Sequence, residues 1–137
     1  MSKVILGNHM ATFAARSQQD KIRQFYRDVL GCRAVVTNDD VDRFQLDDVH
    51  FIFVYQDAAL DEGDFLKAVY LELKADNTEE MEQKILAFGV KQVDIPDPHF
   101  YFQAPGGQVF KLAGIDEDLS LYEKSTSSTP GASASAS

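Results

Sequence analysis

The chain repeats itself, and a repeat of this length leaves few folds open. Ile22, Phe25, Tyr26, Val29 and Leu30 fall at i, i+3, i+4, i+7 and i+8, one apolar stripe on a helix that Gly31 stops. A second stripe, Met81, Ile85 and Phe88 with Leu86 beside it, ends on Gly89. Ser17-Gln18-Gln19-Asp20 reads as a capping box opening the first helix. Asn77-Thr78-Glu79-Glu80 opens the second, with acidic residues where the helix dipole favours them. A strand-like segment precedes each helix, at 8–15 and 65–74, and three follow each. Those after the first are 33–37, 42–46 and 49–55, the last two joined by a short turn at Asp47-Asp48. Those after the second are 91–95, 99–103 and 108–113, with Pro105-Gly106-Gly107 as the matching turn. Each half therefore reads strand, helix, strand, strand, strand. Two copies are too few for a solenoid. The sequence predicts an α+β fold of two tandem βαβββ modules, at about 5–57 and 65–115, with sheet layered against helices.

Composition narrows the function. The 137 residues carry a formal charge of −9, which argues against a nucleic-acid partner held through its phosphates. A hydrophobic share of 45% suffices for a packed core, so residues 1–124 are expected to form one domain. Residues 125–137, STSSTPGASASAS, have neither charge nor bulk and are expected to stay disordered. No run is apolar enough for a membrane span, and the opening MSKVILGNHM has no apolar region of the signal-peptide kind. A lone Cys32 can form no internal disulfide and fits a cytoplasmic protein. It reads as a packed residue rather than a nucleophile. The acidic stretch 57–64, DAALDEGD, lacks EF-hand spacing and reads as a solvated linker. Pro105-Gly106-Gly107 lacks the continuation of a phosphate loop.

Phe25-Tyr26-Arg27-Asp28-Val29-Leu30-Gly31 resembles the "FYrdvLG" helix end of the vicinal oxygen chelate superfamily. Ile85-Leu86-Ala87-Phe88-Gly89-Val90 resembles its second helix end, and residues 100–112, FYFQAPGGQVFKL, its closing hairpin. The resemblance covers roughly residues 5–115. It implies strands curled into a cup-shaped mixed sheet with helices on the outer face, and chains that pair as homodimers. The superfamily holds glyoxalases, bleomycin-resistance proteins, thiol transferases and extradiol dioxygenases, so the fold leaves the function open. Its metal-dependent members place His, Gln or Glu on cup-lining strands around a divalent ion. Here His9 stands at the first such place, with Met10 the alternative by a one-residue shift. The second place reads Lys67-Ala68-Val69, and the third holds Lys111 where the family has glutamate. An ammonium offers no lone pair, so inherited metal catalysis is not expected and no cofactor is assigned. Any divalent ion would have to sit near His9.

Period-2 alternation sends Val69, Leu71, Leu73, Phe110 and Leu112 toward the helices. Tyr70, Glu72, Lys74, Val109, Lys111 and Ala113 then face the cup. The candidate ligand-binding residues are His9, Tyr55, Tyr70, Glu72, Tyr101 and Lys111, with a Glu72–Lys111 ion pair as the structural alternative. His50 and His99 read as surface residues. The expected function is metal-free binding of a small organic molecule by a homodimer. One rival is a metal-dependent lyase, thiol transferase or dioxygenase using His9. The other is a regulatory or interaction domain whose cup is filled by its own side chains.

Overall fold

The computed structural model describes residue 3 and residues 5–116. The 125–137 tail therefore lies outside the described residues. Strand β1 (His9–Ala14) leads through a 3-10 turn (Arg16–Gln18) into helix α1 (Gln19–Arg23), which continues as a π-wound segment, Gln24–Val29. Strands β2 (Arg33–Thr37), β3 (Val41–Leu46) and β4 (Val49–Tyr55) complete the first module. The short helix α2 (Glu62–Phe65) precedes β5 (Leu71–Ala75), α3 (Thr78–Phe88), β6 (Lys91–Gln92), β7 (Phe100–Gln103) and β8 (Val109–Gly114). The sheets run β1-β4-β3-β2 and β5-β8-β7-β6, with β1 parallel to β4 and β5 parallel to β8. These are two mixed four-stranded sheets of one topology, so the repeat in the sequence is a repeat in space.

The expected helical stripes form the core. Ile22, Phe25, Tyr26, Val29 and Ile85 are buried, and Met81 and Phe88 pack against them. Tyr26 meets Phe44, Phe51 and Phe53 of the first sheet and Phe110 of the second. Phe25 reaches Phe88 on α3 and Phe102 on β7. The first helical segment thus serves both sheets. Its π winding, marked by Leu30 N–H donating to Phe25 C=O, accompanies the burial of two consecutive aromatic residues. Asn77 caps α3 by accepting from Glu80 N–H, and Gly89 closes it at φ 104°.

Three local expectations are corrected. Ser17 does not cap a helix, because the chain enters through the 3-10 turn, where Gln18 N–H donates to Ala15 C=O. The stretch 57–64 is not wholly a linker, since α2 begins at Glu62. Val69, expected on the helix face, is 73% exposed. The β5 ladder starts only at Leu71↔Phe110, and the side chain of Gln108 takes up Val69 C=O in place of a strand.

The Tyr26 hydroxyl is buried and has no hydrogen-bond partner among the described residues. Burial pushes its pKa far above the ordinary tyrosine value. Desolvating an unpaired hydroxyl costs about 1–3 kcal/mol. Tyr26→Phe is therefore expected to leave stability unchanged or raise it by about 1 kcal/mol, measured by urea denaturation. A loss above that amount would show that the hydroxyl has a partner.

Candidate functional site

Strand alternation gives each sheet one face on the helices and one away from them. On the first sheet Phe51, Phe53 and Tyr55 are buried, whereas His9, Ala11 and Phe13 point outward and Phe13 is 55% exposed. Backbone register lines up His9↔His50, His50↔Gln45 and Gln45↔Arg33, one lateral row across all four strands. The His9 and His50 rings stack at 4.5 Å and 5°. His9 Nδ1 lies 2.9 Å from Asn8 Oδ1, and Arg33 Nη2 donates to Gln45 Oε1 at 2.6 Å. Arg43 stands two residues from Gln45 on the same face of β3. The His50 imidazole is held below its ordinary pKa, first by desolvation and then by His9, Arg43 and Arg33.

The second sheet differs because part of its outer face is covered. Tyr101, Lys111 and Glu72 form a row there, and Lys111 Nζ lies 3.6 Å from Glu72. Residues 62–70 cross this face as a strap. Gln103 Nε2 donates to Glu62 C=O, and the Phe65 ring lies where a Cβ on Gly107 would stand. The Tyr70 ring contacts Tyr101 while its hydroxyl donates to Leu66 C=O. Val109, on this outer face, is consequently fully buried.

Beside the strap, Asp97 accepts from Tyr101 Oη at 2.8 Å and lies 2.7 Å from His99 Nδ1. Desolvation would push the Asp97 carboxyl up, but the hydrogen bonds from His99 and Tyr101 outweigh it and hold the pKa at about 2. A carboxylate depressed from 3.8 contributes stability that is complete above that value and is lost as pH falls through about 2. Denaturation midpoints measured from pH 5 to pH 1.5 are expected to drop across that window. His99→Ala should shallow the drop, and an unchanged profile would refute the assignment.

The structure gathers Tyr70, Glu72, Tyr101 and Lys111 into one cluster and puts His9 on the other sheet. Tyr55 does not face the cup. It shares the helix face with Phe51 and Phe53, is 2% exposed, and donates its hydroxyl to Asp42 Oδ2 at 2.7 Å. Nor is His99 a surface residue, its side chain being 11% exposed against Asp97. Nothing in the local sequence singles out Arg33, Arg43 or Gln45, and His50 has only the sequence setting of a surface residue. Their convergence depends on register across four strands, which no local motif announces. Cys32 is buried, as expected of a packed residue, and burial raises its thiol to about 12. A hollow of about 660 Å³ also lies between the modules, walled mainly by Met10, Leu46, Val49, Leu71 and Ile115.

The divalent ion of the superfamily's enzymes does not fit these residues. Imidazole lone pairs lie in the ring plane, so two parallel rings 4.5 Å apart cannot both aim at one ion. The charged side chains acting on His50 are Arg33 and Arg43, and Lys111 is paired with Glu72. Among the described residues no group of three or more His, Cys, Asp or Glu is placed to hold a metal. None of the helices among them is long and apolar enough to cross a membrane.

No protein-family model and no curated protein matches the chain by sequence. Solved structures do resemble it. The fosfomycin resistance protein FosX from Listeria monocytogenes superposes with a TM-score of 0.66 at 13% identity, over 86% of this chain and 95% of that one. A glyoxalase family protein from Bacillus anthracis gives 0.64 at 16% identity, over 82% and 97%. TnmS3, an antibiotic binding protein from Streptomyces sp. CB03234, gives 0.61 at 14% identity, over 83% and 98%. One fold thus carries resistance, glyoxalase-family and antibiotic-binding proteins, and identities this low convey the fold alone. With its two βαβββ modules and their shared core, the chain has the fold of the vicinal oxygen chelate superfamily.

Proposed function

We propose that the protein binds a small organic molecule without a metal ion, on the open face of the first module. The observation that carries this reading is the contrast between the two sheets. Residues 62–70 lie over Tyr101, Gln103 and Val109 on the second, whereas the first leaves His9, Arg33 and Phe13 exposed. The donor set supports metal independence, since His9 is stacked on His50 and Lys111 is paired with Glu72. TnmS3 is a precedent for a binding protein on this fold. A homodimer belongs to the same reading. Edge strands β1 and β5 each have a ladder partner on one side among the described residues, and Phe13, Leu60 and Val69 are exposed. A cytoplasmic location accords with the reduced, buried Cys32.

The test combines elemental analysis of protein purified without chelator with a thermal-shift screen of small metabolites. The reading expects no stoichiometric metal and at least one stabilising compound. Stoichiometric zinc, nickel, manganese or iron that is lost in His9→Ala would overturn it. The strap favours a second reading, a regulatory domain whose cup is filled by its own side chains. That reading gains if nothing in the screen stabilises the protein.

A further inference from the structure

We infer that the open face of the first module is an oxyanion site, taking an organic carboxylate or phosphate through Arg33, Arg43 and the His9–His50 pair. The inference rests on the proposed binding function and names its ligand class.

Charge is the first argument. The chain as a whole carries −9, yet this face presents two guanidinium groups and two imidazoles. The hydrogen-bond partners of Arg33 and His9 here are the neutral side chains of Gln45 and Asn8. Desolvation, the stacked His9 and the guanidinium groups of Arg43 and Arg33 together hold the His50 imidazole below its ordinary pKa. A cation is disfavoured in such a place, and an anion is what it lacks.

Geometry is the second. Strands lie about 4.8 Å apart, so His9, His50, Gln45 and Arg33 form a row about 14 Å long. Arg43 stands off its middle, so the donors can surround a bound group rather than only line it. Guanidinium groups suit carboxylate and phosphate oxygens, which they grip with two parallel hydrogen bonds.

Unmet hydrogen bonding is the third. His50 Nδ1 and Arg43 Nε are both shielded from solvent and have no hydrogen-bond partner among the described residues. Leaving such groups unpaired is costly, and a group entering between the two side chains would relieve both. Phe13, Ile52 and Val54 share this face and offer an apolar bed for the ligand's carbon skeleton. That combination suits a small organic anion better than a polyanion, which the overall negative charge repels.

The chain has 3 histidines, so selective imidazole labelling gives an NMR spectrum simple enough to assign. Phenyl phosphate, inorganic phosphate and neutral benzamide would be titrated against the full chain near neutral pH. Phenyl phosphate is expected to move the His9 and His50 signals and leave His99 in place. Arg43→Gln and Arg33→Gln should each weaken that binding about tenfold, reflecting a lost charge-assisted hydrogen bond. Arg27→Gln, which removes an exposed arginine paired with Asp28, should change nothing. Arg33 is exposed, so its variant tests the site even if Arg43→Gln fails to fold.

The outcomes separate the two readings. Benzamide binding as tightly as phenyl phosphate would overturn the anion inference and leave the binding function standing. So would a compound that stabilises the protein without moving either signal, as binding in the hollow between the modules would. Inorganic phosphate matching phenyl phosphate would refute an organic ligand. Failure of all three probes, with a blank thermal-shift screen, would remove both readings.

Discussion

Arg23→Met is expected to cost about 3–5 kcal/mol of stability, because it strands a buried carboxylate. Asp42 lies on the helix face of β3 and is fully buried. Its carboxylate accepts from Arg23 Nε at 2.9 Å and from Tyr55 Oη at 2.7 Å, and Arg23 also donates to Asn38 C=O at 2.9 Å. This network ties the first helix to β3 and β4, at the edge of the aromatic core. Removing Arg23 leaves the carboxylate with one neutral partner, and an uncompensated buried charge is among the costliest defects a fold can carry. Removing Asp42 should cost less, because Arg23 is part exposed and can turn toward water. The asymmetry is the test. Urea denaturation should rank Arg23→Met below Asp42→Asn, and a triple Arg23→Met, Asp42→Leu, Tyr55→Phe variant should recover most of the loss. If Arg23→Met were the milder change, the carboxylate would be reaching solvent.

Gly107→Ala is expected to cost about 2–4 kcal/mol, from backbone strain and a steric clash together. Gly107 has φ 118°, where side chains are strained, and an added Cβ would lie 2.2 Å from Phe65 Cδ2. The Phe65 ring is buried, so moving it away would disturb the packing of residues 62–70. Phe65→Ala should therefore mask part of the effect, so that Gly107→Ala costs only its backbone share, about 1–2 kcal/mol, in that background. A double-mutant cycle measures this coupling. The same variant bears on function, because displacing Phe65 would loosen the strap over the second module. Proteolysis within 57–70 should accelerate in Gly107→Ala. Additive losses in the cycle would mean that Phe65 and Gly107 do not meet.

The helical stripes were legible because residues 22–30 and 81–88 repeat the helix period, and the hairpins because each has its own turn. The Glu72–Lys111 ion pair was legible as an alternative to ligand binding, since alternation placed both side chains on one face. Alternation misled at residues 65–70. Six residues of mixed polarity read as strand, but the chain there is held by Gln103, Gln108 and the Phe65 packing rather than by a ladder. Tyr55 was misplaced for a related reason. Its partner Asp42 is a charged residue buried on the helix face, the reverse of what burial statistics predict for aspartate.

The architecture is local information, since each module's hydrophobic periodicity and stop signals are encoded within about fifty residues. The sequence also places Lys111 where the resemblance implies a metal-binding glutamate, which is why inherited metal catalysis is not expected. Which sheet face stays exposed is instead a matter of packing. Covering the second sheet depends on residues 62–70 folding back over Gly107 and Tyr101, and the His9–His50–Gln45–Arg33 row depends on the register of four strands. Both are long-range pairings, fixed by packing and shape rather than by the order of neighbouring residues.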